Sequence, residues 1–133
     1  MKTYLLGWIT LITICLILGP AGSTFSENVL SVEVVVVARD IKDLTPVGVA
    51  EGFPADVGRV YCYSKIVGAQ TDDVITHVWL YNERVVANIP LEIKADVYRT
   101  YSYKTIPSEW KGVWRVEIRK GETILKTVGF TIE

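Results

Sequence analysis

The sequence predicts an all-β domain, a small sandwich of two antiparallel sheets, and three observations carry the prediction. About seven short segments alternate apolar and polar residues with period two and are rich in β-branched and aromatic side chains. Turn residues recur about every ten positions between them. No helical period, heptad or internal repeat interrupts the pattern.

At the N-terminus, Lys2 precedes an uncharged run from Tyr4 to Leu18 and then Gly19-Pro20-Ala21-Gly22-Ser23, the pattern of a secretory signal. The run is short for a bilayer crossing, which needs about 20 apolar residues. Cleavage near Ser23 is therefore expected, with an uncleaved anchor as the alternative. Residues 1–23 read as the signal segment and 24–133 as one exported domain, periplasmic or extracellular, that meets a membrane only through its N-terminus if that stays attached. Ile12-Thr13-Ile14 lack the small residues that precede a lipidated cysteine, so Cys15 is not read as a lipid anchor. Its removal with the signal leaves Cys62 alone, and no intramolecular disulfide can form.

After a tether at Thr24 to Asn28, the first strand runs from Val29 to Ala38. Four consecutive valines, Val34 to Val37, imply cover on both faces. From Arg39 to Asp56 the composition shifts to Asp, Pro and Gly, giving a connection longer than compact domains usually hold, either a functional loop or a short irregular strand. Val57 to Ile66 forms the second strand, with Val60 and Cys62 on one face and Arg59, Tyr61, Tyr63 and Lys65 on the other. Gly68 to Asp73 turns the chain, and Asp72-Asp73 serves that turn rather than a metal. The third strand, Val74 to Tyr81, sets His77, Trp79 and Tyr81 on one side.

Asn82-Glu83 turns into a fourth strand through Val85, Ala87, Ile89, Leu91 and Ile93, and Pro90 places it at a sheet edge or at a bend. The fifth, Val97 to Lys104, has Arg99, Tyr101 and Tyr103 on one face and Thr100, Ser102 and Lys104 on the other. The connection Ile106 to Lys111 carries Pro107 and Trp110. The sixth strand opens at Gly112, with Trp114, Val116 and Ile118 inward and Arg115, Glu117 and Arg119 outward. Lys120-Gly121 closes a hairpin into the last strand, where Val128, Phe130 and Ile132 point the same way as Ile124.

With 14 Lys and Arg, 15 Asp and Glu and one His, the net charge is -1 and no basic block stands out, so nucleic acid is not an expected partner. Only His77 and Cys62 supply nitrogen or sulfur, too few for zinc, and no Gly-x-Ser-x-Gly elbow is present. No catalytic, cofactor-binding or metal-binding residue is therefore expected, and His77, beside Trp79 in mid-strand, reads as a hydrogen-bonded structural imidazole. Burying a tryptophan removes about 150 to 250 Å² from water, worth up to roughly 4 to 6 kcal/mol. Trp79 and Trp114 are on that ground assigned to the core, with Phe130 and with Cys62 as a small hydrophobe.

The fifth strand is where binding is sought. Arg99, Tyr101, Ser102, Tyr103 and Lys104, with Trp110, form a candidate surface for another envelope protein, since Tyr and Arg carry binding energy at interfaces. The alternative partner is a cell-wall or surface glycan stacked on the same aromatics. A purely structural account pairs Arg99 and Lys104 with Glu92, Asp96 or Glu117 across the sheet, while the tyrosines cover its edge.

Four phrases, Gly58-Arg59-Val60-Tyr61-Cys62-Tyr63-Ser64-Lys65-Ile66, Thr76-His77-Val78-Trp79, Arg99-Thr100-Tyr101-Ser102-Tyr103-Lys104 and Gly112-Val113-Trp114-Arg115-Val116-Glu117, together resemble a bacterial family, Domain of Unknown Function 2914, over Asp56 to Ile132. The last phrase, with Gly121 and Phe130, also looks like the final hairpin of immunoglobulin-like sandwiches. Glu83 stands where the family's turn has Gly, and Tyr103 where a second Ser is usual. The resemblance implies an envelope-associated bacterial β domain with Trp79, Arg99, Tyr101, Ser102, Lys104 and Trp114 as signature positions, and it supplies no activity.

Overall fold

The computed structural model describes residues 29–133; the signal pattern, Cys15 and the tether at Thr24 to Asn28 lie outside them. Among the described residues all regular structure is strand: β1 Ser31–Lys42, β2 Thr45–Val49, β3 Gly52–Phe53, β4 Arg59–Val67, β5 Asp73–Tyr81, β6 Arg84–Ile93, β7 Val97–Thr105, β8 Gly112–Lys120 and β9 Thr123–Ile132. They form a four-stranded sheet in the order β2-β1-β4-β7 and a five-stranded sheet in the order β3-β9-β8-β5-β6. The expected two-sheet, all-β architecture is what the chain adopts. Pro90 lies in β6, an edge strand, where its missing N–H does not break a central ladder.

The stretch from Arg39 to Asp56 is built from strands and is not a long loop. β1 continues to Lys42, Asp43 and Leu44 take φ of 51° and 54°, and β2 returns with Lys42 opposite Thr45 and Asp40 opposite Val47. Two successive left-handed residues make the reverse turn whose twist matches a tight hairpin. β3 then pairs in parallel with the end of β9, and Ala55 N–H donates to the Glu133 carbonyl at 2.9 Å. Asn82 and Glu83 likewise have φ of 46° and 67°, so Glu83 takes a left-handed backbone conformation that favours glycine.

Three bulges reset the faces read from alternation, the first at Glu33, which separates the buried Val32 from the outward Val34. Trp79 opposes Ala87 while Leu80 opposes Val85, so Val86 is the extra residue and Val85 turns outward, 51% exposed. Leu125 is extra in the same way opposite β8, and it takes Ile124 off the core face shared by Phe130 and Ile132. Each inserted residue shifts side-chain parity by one, which alternation alone does not reveal.

The core is aromatic at its centre. Phe130 stacks on Trp114 with ring centroids 5.8 Å apart and meets the edges of Trp79 and Phe53 at 6.2 and 5.9 Å. Trp79, Trp114, Phe130 and Cys62 are all buried. Burial pushes the Cys62 thiol far above its ordinary range, with the Ser64 hydroxyl pulling weakly the other way, so the sulfur stays protonated and inert.

On the outward side of the five-stranded sheet, Glu117 is itself buried, held by Arg115 at 3.1 Å and by Arg119 Nε at 3.0 Å. Burial raises its carboxyl, but the hydrogen bonds from Arg119 and Arg115 outweigh it and hold the group below its usual range. Arg115 also bonds Glu83 across the β5–β6 turn. Val78 and Leu80, opposite Glu117 and Arg115 in register, are thereby covered although they point away from the core.

Gly68 is required by the backbone. Its φ is 74°, its N–H donates to the Asp96 carbonyl at 2.8 Å, and a Cβ there would stand 2.5 Å from the Val29 carbonyl oxygen. Gly68→Ala should cost about 2 kcal/mol in urea unfolding, from left-handed strain plus displacement of a neighbouring backbone. Gly58→Ala, at φ 80° with open space around it, isolates the strain alone and should cost about 1 kcal/mol.

Candidate interaction face and a buried tie between the sheets

β4 and β7 pair antiparallel with Tyr61 opposite Tyr103, Tyr63 opposite Tyr101 and Lys65 opposite Arg99. Residues directly opposite share a face, so Arg59, Tyr61, Tyr63 and Lys65 lie with Arg99, Tyr101 and Tyr103 on the outer side of the four-stranded sheet. The Tyr61 ring lies 6.2 Å from Tyr101 and 5.6 Å from Tyr103, and the Arg59 guanidinium sits 4.6 Å above the Tyr103 ring. Tyr101 and Tyr103 are 40% and 46% exposed. Val34, Val47 and Val49 continue the same face with exposed apolar surface.

Arg99 and Lys104 do not pair with Glu92, Asp96 or Glu117 as the structural account expects. Among the described residues, Glu117 is taken by Arg115 and Arg119, Lys65 pairs with Glu33 at 3.1 Å, and no ion pair includes Arg59, Arg99 or Lys104.

The six residues expected to form one surface divide three ways. Arg99, Tyr101 and Tyr103 share the outer face. Lys104 and Trp110 lie elsewhere: Lys104 Nζ donates to the Thr105 carbonyl at 2.9 Å and stands 6.0 Å from the Trp110 ring, which stacks on Tyr81 at 5.1 Å. Ser102 is not a surface residue at all. It is 5% exposed and faces the five-stranded sheet, because polar side chains there meet a polar group across the core.

That group is His77. Its Nδ1 is 2.6 Å from Ser102 Oγ and its Nε2 is 2.9 Å from Ser64 Oγ, while Trp79 Nε1–H donates to Ser102 Oγ at 3.1 Å. β5 thus reaches across the interior to β4 and β7 of the other sheet. One set of protons satisfies the chain. Trp79 donates to Ser102, whose hydroxyl donates to Nδ1, and Nε2–H then donates to Ser64. Burial lowers the His77 pKa to about 4, so the ring is neutral at ordinary pH. A serine against a histidine nitrogen resembles an activated nucleophile, yet His77 and Ser64 are wholly buried, and no substrate atom can approach them. The arrangement is chemically a cross-tie. Among the described residues, no group of three His, Cys, Asp or Glu converges on a metal position.

Residues 72–132 match the family model described as "Protein of unknown function (DUF2914)". This is the family the sequence resembles, and the match spans β5 to β9 with Asp72, so the signature positions Trp79, Arg99, Tyr101, Ser102, Lys104 and Trp114 fall inside it. The phrase Gly58 to Ile66, on β4, precedes the DUF2914 match. An immunoglobulin-like protein from Pseudomonas aeruginosa is similar in structure, with a TM-score of 0.56 and 16% identity over 81% of this chain and 99% of that one. That likeness gives the fold: an immunoglobulin-like sandwich. Two structures of a β-glucosidase from Listeria innocua, in complex with laminaribiose and with isofagomine, align at TM-scores of 0.44 and 0.38 and identities of 10% and 12%. They cover 79% and 78% of this chain and 16% of the glucosidase chain. No curated protein matches the chain.

Arg59 and Tyr61, on β4, complete the face beside Arg99, Tyr101 and Tyr103 of β7. Their signal was present in the alternation Arg59-Tyr61-Tyr63-Lys65, since two tyrosines on a purely solvated face are unusual. What the sequence does not display is the register that lays this strand beside Arg99, Tyr101 and Tyr103.

Proposed function

We propose that this chain is a non-enzymatic, exported DUF2914 domain that binds another envelope protein through the outer face of β4 and β7. The observation that supports it is the exposed cluster of Tyr101 and Tyr103 around Tyr61, flanked by Arg59 and Arg99 with no carboxylate partner among the described residues. Clustered Tyr and Arg are the side chains that dominate binding energy at protein interfaces. A glycan platform has less support: the Tyr61 ring is tilted 51° and 46° to its neighbours, and Trp110 is stacked on Tyr81 and lies off this face.

The test is affinity capture from the native envelope with the parent chain, a Tyr101→Ala, Tyr103→Ala double variant, and a Val85→Ser control on the other sheet. One protein is expected to be enriched by the parent and the control and lost with the double variant, whose unfolding midpoint stays close to the parent's. Recovery that ignores the tyrosines, or specific retention of a cell-wall glycan instead, would overturn the proposal.

A further inference from the structure

β7 is an edge strand, and its hydrogen-bonding pattern can be assigned residue by residue. Ile106 N–H donates to the Gly58 carbonyl and Gly68 N–H to the Asp96 carbonyl, both at 2.8 Å. Even-numbered residues of this stretch therefore turn their peptide groups toward β4. Antiparallel pairing alternates, so the N–H and C=O of Val97, Arg99, Tyr101, Tyr103 and Thr105 point away from the sheet.

At each end, one of the chain's own side chains occupies one of those groups. Val97 N–H donates to Asp96 Oδ1 at 3.0 Å, and the Thr105 carbonyl accepts from Lys104 Nζ at 2.9 Å. Between these caps, the peptide groups of Arg99, Tyr101 and Tyr103 have no partner among the described residues. These are the same three residues whose side chains form the candidate face.

The other edges are blunted. β6 contains Pro90, β2 is five residues long and contains Pro46, and β3 has two residues. Where β9 extends beyond β3, Lys126 reaches across to the Val32 carbonyl of β1 at 3.3 Å. β7 has nine residues and no proline. Natural sandwiches seldom leave a long edge open without a device against self-pairing.

The device here is charge. β7 carries Arg99 and Lys104 and no carboxylate, and Arg59 lies beside it. A second copy laid antiparallel on β7 would bring two cationic strands together, which is unfavourable. A strand bearing carboxylates would meet the opposite sign.

We propose that β7 receives an extended, acidic segment of the partner protein, which adds antiparallel to the four-stranded sheet as its next strand. The inference rests on the interaction reading above and specifies its mode. Backbone bonds to Arg99, Tyr101 and Tyr103 supply the attachment, as in other cases of strand addition. Carboxylates on the outer face supply the selectivity.

Geometry makes the test sharp. Antiparallel residues that exchange hydrogen bonds are directly opposite and share a face, so acidic residues seated beside Arg99 and Tyr101 must also be the ones whose N–H groups point at β7. The probes are a capped peptide of about ten residues alternating Glu and Val, a length matching the edge, and its Lys-for-Glu counterpart. Two further versions of the Glu peptide are N-methylated on the Glu nitrogens or on the Val nitrogens. Binding to the full-length chain is followed by calorimetry and by backbone amide shifts.

The Glu peptide and its Val-methylated form are expected to bind and to move the amides of Arg99, Tyr101 and Tyr103. Methylation on Glu should weaken binding at least about tenfold, because it removes the donors aimed at β7. The Lys peptide should not bind, and affinity should fall with salt. Equal binding of the two methylated forms, binding of the Lys peptide, or no binding of the Glu peptide would overturn strand addition. If any of these occurs while capture still depends on Tyr101 and Tyr103, the interaction face stands and only its mode is wrong; if capture fails as well, both fall.

Discussion

Lowering the pH from 6.5 toward 4 is expected to remove about 3 kcal/mol of stability through His77 alone. The ring has an ordinary pKa of 6.5 and a folded value of about 4, because burial penalises its charged form. At about 1.4 kcal/mol per unit, the span gives that figure to order of magnitude. A depressed folded pKa means the unfolded chain binds the proton first, so the contribution is complete above pH 6.5 and is lost as pH falls through the folded value. Asp73 and Glu117 are also held below their ordinary values, Asp73 chiefly by the Gln70 backbone N–H, and their contributions are lost at lower pH still. The upper part of the window, from 6.5 to about 5, therefore belongs to His77. Urea unfolding followed by tryptophan fluorescence should show the midpoint falling steadily across it. His77→Gln, neutral at every pH, should flatten that slope whatever it does to absolute stability. A parent midpoint constant between pH 6.5 and 5 would contradict the buried, neutral imidazole.

Trp79→Ala should destabilise the domain by about 3 to 5 kcal/mol, the range for deleting a large aromatic from a packed interior. Trp79 is wholly buried, meets the edge of Phe130 and donates to Ser102. Alanine would leave a cavity beside Phe130 and remove one donor from the tie between the sheets. Trp79→Phe separates these losses: most of the packing survives and the N–H is gone, so a cost of about 1 to 2 kcal/mol is expected. The measurement is the unfolding midpoint, which for a domain of this size should drop by roughly 10 °C or more in Trp79→Ala. Near-identical losses in the two variants would mean that the hydrogen bond outweighs the packing.

The sandwich was legible because its strands are half-buried and alternate cleanly, above all in β8, where Trp114, Val116 and Ile118 lie inward. The hairpin of β1 and β2 was not, since Asp43 and Leu44 enter the left-handed region without a glycine or asparagine to signal it, and Pro46 and Gly48 look like loop composition. Val86 and Leu125 escaped notice for a different reason, because a bulge is a property of pairing and two strands must be seen together to find it. Ser102 was misplaced by its polarity. A serine on an edge strand reads as solvated, and only the position of His77 across the interior explains why it is buried. The face itself was half visible: Arg99, Tyr101 and Tyr103 were legible as a group, while Arg59 and Tyr61 came to them through the register of β4 against β7.

The order of strands also sets a timetable. β4 emerges from synthesis long before β7, its neighbour, and β3 precedes its own partner, β9, by most of the chain. Neither sheet can be finished from one half of the polypeptide, and the last residues, Thr131 to Glu133, are the ones that secure Gly52 to Ala55. Such dependence on distant pairings is associated with assembly in roughly milliseconds to seconds rather than microseconds. During that interval β4, with its tyrosines, waits with an unprotected flank, and a chain released before β7 would keep that flank open to its neighbours.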